Sequence, residues 1–282
     1  MRKYEFTGET KIINLCGKEV TLHRIKAVIE FGLIKVGEVG GWIEEESNLS
    51  HDDKSWVYGN AEVCGNAEVC GDAEVWGNAK VWGNAEVYGN AEVCGNAEVC
   101  GNAEVWGNAK VWGNAKVLGD AKVWGNAKVC CNAEVWGNAK VWGNAKVWGN
   151  AKVWGDAKVW GDAKVWGNAK VCCNAEVCGN AEVWGNAKVW GDAKVWGNAK
   201  VSQVDHILVI GPAGSRNDFT TFYRDKDNEI TVKCGCFLDK IDKFIEKVTQ
   251  THEDNKYAIV YRASAELAKL QIDLSEESEE NE

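Results

Sequence analysis

A six-residue repeat dominates this chain and limits the folds open to it. From Val57 to Val201 a Val returns at every sixth position, and the 24 units read V-[W/C/Y/L]-G-[N/D]-A-[K/E], with Cys131 and Cys173 replacing Gly. Self-similar units of short, fixed period predict a solenoid. Gly and Asn in almost every unit exclude a helix, while the A-K-V-W runs favour strand. Each unit is therefore predicted to be one short strand and one corner, in which Gly and Asn or Asp tolerate positive φ.

Side-chain alternation decides which residues of the unit face inward. In A-K-V-W, successive side chains point to opposite faces of the strand, so Ala and Val share one face and Lys or Glu shares the other with Trp. Burying the Trp face would also bury about two dozen charges, each costing on the order of several kcal/mol unless paired. The sequence therefore predicts an Ala and Val core, with Trp in outward columns that stack from one coil to the next, beside ladders of Asn and Asp.

The repeat resembles the hexapeptide-repeat family, whose members form a left-handed parallel β-helix of triangular section. This resemblance covers residues 58–201 and implies three units per coil, hence about eight coils. The segments GEVGGWIEEESNLS before the repeat, and GPAGSRNDFTTFY, CGCF and THEDNKYAIVY after it, resemble uncharacterised hexapeptide-repeat proteins of phages and prophages. That second resemblance extends over nearly the whole chain and implies a setting inside a bacterial host cell. It brings no known activity with it.

We predict a mainly β chain with four segments. They are an N-terminal β cap at 1–56 that leads into the solenoid, the β-helix at 57–201, a small α+β domain at 202–274 and an acidic disordered tail at 275–282. The α+β domain is expected to contain strands and two helices, Leu238–Thr249 and Lys256–Leu274. No apolar run is long enough to span a bilayer and the start of the chain lacks an apolar signal region, which predicts a cytoplasmic protein.

Charge and cysteine content narrow the function further. A net charge of -10 disfavours indiscriminate binding to nucleic acid. Twelve Cys without a signal sequence predict reduced thiols. Along the repeat, the charged position is acidic from Glu62 to Glu104 apart from Lys80, and mostly basic from Lys110 to Lys200. Head-to-tail or antiparallel pairing of copies would match opposite signs, whereas the alternative interpretation is a solvated charged face.

Residues for catalysis are missing from the repeat. Acyl transfer, the best-known activity of hexapeptide-repeat proteins, uses a His beside the β-helix, but no His lies between residues 52 and 205. A zinc carbonic anhydrase of this fold needs three such His ligands. Cys234, Cys236 and His252 could offer three metal ligands, yet their spacing is not that of a zinc finger, and both Cys are predicted to be core thiols. We therefore predict no enzymatic activity, no cofactor and no metal.

The segment Gly211–Thr221, GPAGSRNDFTT, is the best candidate for a ligand site. A Gly-rich turn after a strand offers backbone amides, and polar side chains beside it suit an anion. The candidate ligand-binding residues are Ser215, Arg216, Asn217, Thr220 and Thr221. The segment lacks the GK[ST] of a P-loop, and a plain turn capped by its own Ser and Asn is the alternative.

Two hypotheses about function follow. The first is a non-enzymatic binding or assembly protein, whose exposed Trp ladders mediate self-association or contact a host protein. Its predicted interaction surface consists of Trp76, Trp82, Trp106, Trp112, Trp124, Trp136, Trp142, Trp148, Trp154, Trp160, Trp166, Trp184, Trp190 and Trp196. The second is a phage-encoded anti-defence protein that sequesters a small anionic ligand such as a signalling nucleotide. Carbohydrate binding on the Trp rings and acyl transfer are the less favoured readings.

Overall fold

The computed structural model describes residues 1–275 and confirms the predicted fold class. The chain is mainly β, with a β-solenoid of about nine turns, parallel sheets, and a C-terminal antiparallel sheet with two helices. It divides into two compact units, residues 1–150 and 151–282. The predicted acidic tail, apart from Ser275, lies outside the described residues.

The first unit begins with an antiparallel hairpin that leads into the solenoid. Strands β1 (Tyr4–Leu15) and β2 (Lys18–Ala27) pair with each other, and β2 pairs in turn with β3 (Val39–Ile43). A 3-10 turn at Glu46–Asn48 follows. The remaining strands of this unit, β4 to β19 in chain order, are Trp56–Val57, Glu62–Val63, Glu68–Val69, Glu74–Val75, Lys80–Gly83, Glu86–Val87, Glu92–Val93, Glu98–Gly101, Glu104–Val105, Lys110–Val111, Lys116–Gly119, Lys122–Val123, Lys128–Val129, Glu134–Val135, Lys140–Val141 and Lys146–Val147.

Each solenoid strand pairs in parallel with the strand three units away, which produces three sheets. In the first unit one sheet contains β3, β5, β8, β11, β14 and β17, and the second contains β4, β7, β10, β13, β16 and β19. The third sheet contains β6, β9, β12, β15 and β18. The register joins equivalent residues of successive turns, as when Val105 pairs with Val123.

The solenoid begins earlier than the repeat indicates, which explains why about nine turns are found where eight were predicted. Ile43 pairs with Val63 and Leu49 forms a parallel bridge to Val69, so both occupy the inward Val position of an additional turn. Leu49 and the next inward residue, Val57, are eight residues apart rather than six. This break in the period hides the first turn from a search for the hexapeptide.

The interior of the solenoid is the predicted column of Ala and Val. Every Ala and Val of the repeat is fully buried. At the corners only the Gly adopts positive φ, about 70° at Gly107, and Cys131 and Cys173 adopt the same conformation where they replace Gly. The corner Asn does not share it, contrary to the sequence prediction. Instead it forms the predicted ladder, in which Asn90 donates to Asn108 (3.1 Å) and Asn108 donates to Asn126 (3.0 Å).

A buried lysine anchors the N-terminal segment to the first turns of the solenoid. The Lys3 ammonium donates to the Ser55 carbonyl at 2.7 Å and to the Asp53 carboxylate at 3.2 Å. Burial would raise the pKa of Asp53, but hydrogen bonds from Ser55, from Ser50 and from the Gly71 amide outweigh it and lower the pKa to about 2. Asp53 is therefore ionised in the folded protein and balances the charge of Lys3.

The second unit contains further solenoid turns and an α+β domain. Its solenoid strands, β20 to β28, are Lys152–Val153, Lys158–Val159, Lys164–Val165, Lys170–Val171, Glu176–Val177, Glu182–Val183, Lys188–Val189, Lys194–Val195 and Lys200–Val201. A 3-10 turn (Val204–His206) leads to a meander of β29 (Ile207–Ala213), β30 (Asp218–Arg224), β31 (Ile230–Cys234) and β32 (Phe237–Lys240). Two helices follow, α1 (Ile241–His252) and α2 (Lys256–Gln271).

The helices pack on one face of the meander and enclose a small core around Phe222, Val232, Phe244 and Ala265. The first helix starts three residues later than predicted, because Leu238 to Lys240 pair with β31 instead. Asn255 caps the second helix by accepting hydrogen bonds from the amides of Tyr257 and Ala258. Within the described residues, neither helix has the length and apolar character needed to cross a membrane.

Candidate functional sites

An uninterrupted aromatic column lies on the third sheet of the first unit. The rings of Tyr88, Trp106, Trp124 and Trp142 stack in parallel, with centroids 5.6, 4.8 and 4.8 Å apart and interplanar angles of 3° or less. Each side chain follows a buried Val on its strand, so the rings stand on the outer surface. We call this surface, defined by the four rings and the charged residues Glu86, Glu104, Lys122 and Lys140 beside them, the Tyr88 face.

The other two columns of the first unit are interrupted. Their outward positions include Cys94, Cys100, Leu118 and Cys130 between the aromatic residues. Most Trp side chains are half-buried although they point outward, and the more exposed ones are Trp76 at 43% and Trp190 at 48%. In the second unit, Trp166 and Trp184 stack at 5.1 Å.

One Trp of the predicted interaction surface is already covered within the second unit. The Trp196 ring lies 3.9 Å from the Lys233 ammonium, and its backbone carbonyl accepts a hydrogen bond from the Tyr223 hydroxyl at 2.9 Å. The Trp196 indole N–H is buried. The meander therefore uses Trp196 for packing inside the chain, which removes it from the predicted interaction surface.

The charges of the Tyr88 face change sign at its midpoint. The first strands place Glu86 and Glu104 beside the aromatic column, and the later strands place Lys122 and Lys140 there. At the change of sign, Lys122 and Glu104 form an ion pair of 2.5 Å. On the first sheet, by contrast, charges alternate from turn to turn and neutralise each other, as Lys80 does with Glu62 at 3.5 Å. The second sheet also changes sign, but Cys94 and Cys130 interrupt its aromatic column.

The structure separates the five predicted ligand-binding residues into two groups. Ser215, Arg216 and Asn217 lie in the exposed turn between β29 and β30, with Asn217 at φ 50°. Thr220 and Thr221 are buried in β30, and their inclusion in the site was wrong. The Thr220 hydroxyl donates to the Cys234 sulfur at 3.2 Å, and Thr221 Oγ1 accepts from the Lys194 amide at 2.9 Å. From Thr220 to Arg224 every side chain of β30 is buried, so neither face of this part of the strand is open to a ligand.

Ser215 and Arg216 line a cleft of about 400 Å³ against helix α1. The helix contributes Phe244, Lys247 and, at its last position, His252. Sequence reasoning did not connect these helical residues with the loop, because they lie about 30 positions or more from it, and His252 was considered only as a metal ligand. The Ser215 amide donates to the Tyr261 hydroxyl at 3.2 Å, and the Ser215 hydroxyl lies 3.4 Å from His252 Nε2. These contacts hold the loop against both helices.

The structure does not bring Cys234, Cys236 and His252 together as metal ligands. The Gly235 turn ends strand alternation between the two Cys, leaving Cys234 half-buried and Cys236 exposed, whereas both were expected in the core. Among the described residues, the only Cys, His, Asp and Glu set with converging ligand atoms is Asp225, Asp227 and Glu229.

A lysine already occupies that acidic cluster. The Lys240 ammonium lies 2.5 Å from Asp225, 3.3 Å from Asp227 and 2.6 Å from Glu229. Burial would raise the pKa of Asp225, but the hydrogen bonds from Lys240 and Thr231 outweigh it and lower the pKa. The ammonium therefore supplies the positive charge that a bound cation would otherwise provide.

Burial suppresses the reactivity of some thiols of the chain. All twelve Cys are free in the structure. Burial raises the pKa of Cys100 to about 11 and that of Cys178 to about 12. These two thiols stay protonated near neutral pH, and a protonated thiol is a poor nucleophile.

Comparison with known protein families gives no match for this chain, and comparison with curated proteins gives none either. The assignment of a function therefore rests on the geometry of the Tyr88 face and of the cleft beside α1.

Proposed function

We propose that this protein is a non-enzymatic assembly protein, and that two copies pair through the Tyr88 face. The observation that carries the proposal is the coincidence, on one sheet, of an uninterrupted aromatic column and a charge pattern that reverses at the column's midpoint. The four rings face outward and are half-buried, which leaves part of their aromatic surface open to a partner, and Trp and Tyr dominate the energetics of protein interfaces. A cytoplasmic setting in a bacterial host, as the resemblance to phage proteins implies, is part of this proposal.

The charge pattern selects a second copy of the same chain as the partner. A two-fold axis between Trp106 and Trp124 places the column of one copy antiparallel to that of the other. Trp106 then faces Trp124 of the partner subunit, and Tyr88 faces Trp142 of the partner subunit. The same operation places Glu86 opposite the partner subunit's Lys140. The face is thus self-complementary: aromatic rings meet aromatic rings and opposite charges meet, as a two-fold interface requires.

Charge reversal provides the test. The variants Glu86→Lys and Lys140→Glu each place like charges opposite one another at two symmetry-related points, whereas the double variant restores opposite charges. We expect each single variant to weaken dimerisation about ten- to a hundredfold and the double variant to recover most of the affinity. Sedimentation equilibrium at low and high salt measures these changes, and the single-variant defect should shrink as salt increases.

Lys146→Glu is the matched control, since Lys146 occupies the same repeat position one unit later, on the second sheet. It should leave the dimer intact. A monomeric wild-type protein, or equal weakening by Lys140→Glu and Lys146→Glu, would refute pairing through the Tyr88 face. If the protein formed a complex with a host protein and no dimer, the partner of the Tyr88 face would be that host protein and not a second copy.

A further inference from the structure

The cleft beside α1 has the charge and lining of a site for a small organic anion. We propose that it binds a phosphate monoester attached to a flat apolar group. The proposal does not depend on dimerisation, because every residue it uses belongs to the α+β domain. Its volume of about 400 Å³ lies within the range of small-molecule sites, roughly 300–1,000 Å³.

Two cationic side chains converge on the cleft from different elements. Arg216 extends from the β29–β30 turn, and Lys247 extends from the second half of α1. Neither forms an ion pair with a carboxylate of the described residues, and the described residues that line the cleft include no Asp or Glu. This is unusual in a chain of net charge -10. Two positive charges match a phosphate monoester, which carries about -1.5 to -2 at neutral pH, better than they match a single carboxylate.

The hydrogen-bonding groups of the cleft pack against its other walls. The Arg216 guanidinium lies over Gly235, where an added Cβ would be 2.0 Å from Arg216 Nη1, so a larger residue at this position would have to displace the Arg216 side chain. The guanidinium also lies 3.8 Å from the Cys236 sulfur. On the other side, the Ser215 hydroxyl and the His252 ring face each other at 3.4 Å. Arg, Lys, His and Ser side chains can all donate hydrogen bonds to phosphate oxygens.

The remaining wall of the cleft is apolar and aromatic. The rings of Phe237 and Phe244 lie 5.4 Å apart at an angle of 59°, and Val248 lies beside them. Phe244 also packs edge-on against Tyr261 at 5.7 Å, which fixes its orientation. A flat group carried by the phosphate can rest against these rings while its charge remains at Arg216 and Lys247. The site therefore selects for a ligand with an anionic end and an apolar end.

Phenyl phosphate is the simplest probe with both ends. Titration of the full-length protein, followed by isothermal calorimetry and by amide chemical shifts, should give saturable binding that is tighter than for inorganic phosphate, phenol or benzoate. Arg216→Ala and Lys247→Ala should each weaken it about tenfold or more, since each removes a charged donor. Gly235→Ala should weaken it as well, by displacing the Arg216 guanidinium.

Lys243→Ala is the matched control, because Lys243 is an exposed cation one turn earlier on α1 that pairs with Glu246 at 2.9 Å and does not line the cleft. It should leave the affinity for phenyl phosphate unchanged. Absence of saturable binding to wild type, or equal weakening by Lys243→Ala and Lys247→Ala, would overturn the proposal. Equal affinity for phenyl phosphate and inorganic phosphate would overturn the apolar half of the site. Circular dichroism of each variant establishes that it is folded.

Discussion

The ring of Trp124 stabilises the solenoid through two stacking contacts that Trp76, at the same repeat position, lacks. It lies between Trp106 and Trp142, with both centroid distances at 4.8 Å and interplanar angles of 1° and 3°. Trp76 occupies the same repeat position on the second sheet, is 43% exposed, and takes part in none of the described ring contacts. The two residues therefore have the same local sequence except for Glu74 in place of Lys122, and they differ in what they pack against.

Truncation to Ala should separate these two environments. Each aromatic contact contributes about 0.5–1.5 kcal/mol beyond the area it buries, so Trp124→Ala should lower the free energy of unfolding by about 1–3 kcal/mol more than Trp76→Ala does. Urea unfolding followed by circular dichroism measures both values. Repeating it at protein concentrations about tenfold apart separates the stability of the fold from that of the dimer. Equal losses in the two variants would refute the conclusion that the stacked column stabilises the solenoid.

Three further predictions test other parts of the molecule. Asp53→Asn should cost about 1–2 kcal/mol at pH 7. Because the folded pKa of Asp53 is depressed to about 2, its stabilisation is present above the unfolded pKa of about 3.9 and is lost as pH falls toward 2. Denaturation at several pH values should therefore show that Asp53→Asn loses less stability on acidification than wild type does. Lys240→Met should destabilise the second unit by about 1–3 kcal/mol at pH 7. Because the folded pKa of Asp225 is depressed, this difference should persist down to the unfolded pKa of about 3.9 and shrink only as pH falls further; a difference that stays constant at lower pH would contradict this account. Cys131→Gly should increase the free energy of unfolding by about 1 kcal/mol, because residue 131 adopts a φ of 64°, which favours Gly. A higher midpoint of thermal unfolding would show this gain.

The parts of the fold that repeat were predictable from sequence, because one local rule acts in every unit. Alternation in A-K-V-W placed Val inward and Trp outward, and the energetic cost of burying Lys or Glu excluded the opposite arrangement. The turn that contains Ile43 and Leu49 was not counted. These two residues are six apart, but the eight residues from Leu49 to Val57 break the period and hide the equivalence with Val63 and Val69. Only the pairing of strands in three dimensions shows that these residues share one column.

Only half of the residues that form the candidate cleft could be predicted from the sequence. The Gly-rich turn indicated Ser215 and Arg216, but Lys247 and His252 join them only through the packing of α1 on the sheet. Thr221 was predicted to bind a ligand but does not line the cleft, for a related reason. A polar residue on a short strand reads as exposed in sequence, yet β30 is covered on both faces and uses that hydroxyl to bind a backbone amide. Tertiary packing, which periodicity does not encode, decided these cases.

The register of 18 residues between equivalent positions, as from Trp106 to Trp124, has a consequence for how the length of such a chain can change. Insertion or deletion of three consecutive units moves every later residue along its own sheet, so aromatic columns and charge order survive. Insertion of one unit keeps Val inward and the corner intact, but it shifts all later side chains onto the neighbouring sheet. Stability is then preserved while the surface is rearranged. Length changes in this protein are therefore conservative for the fold at any multiple of six, and conservative for the Tyr88 face only at multiples of eighteen.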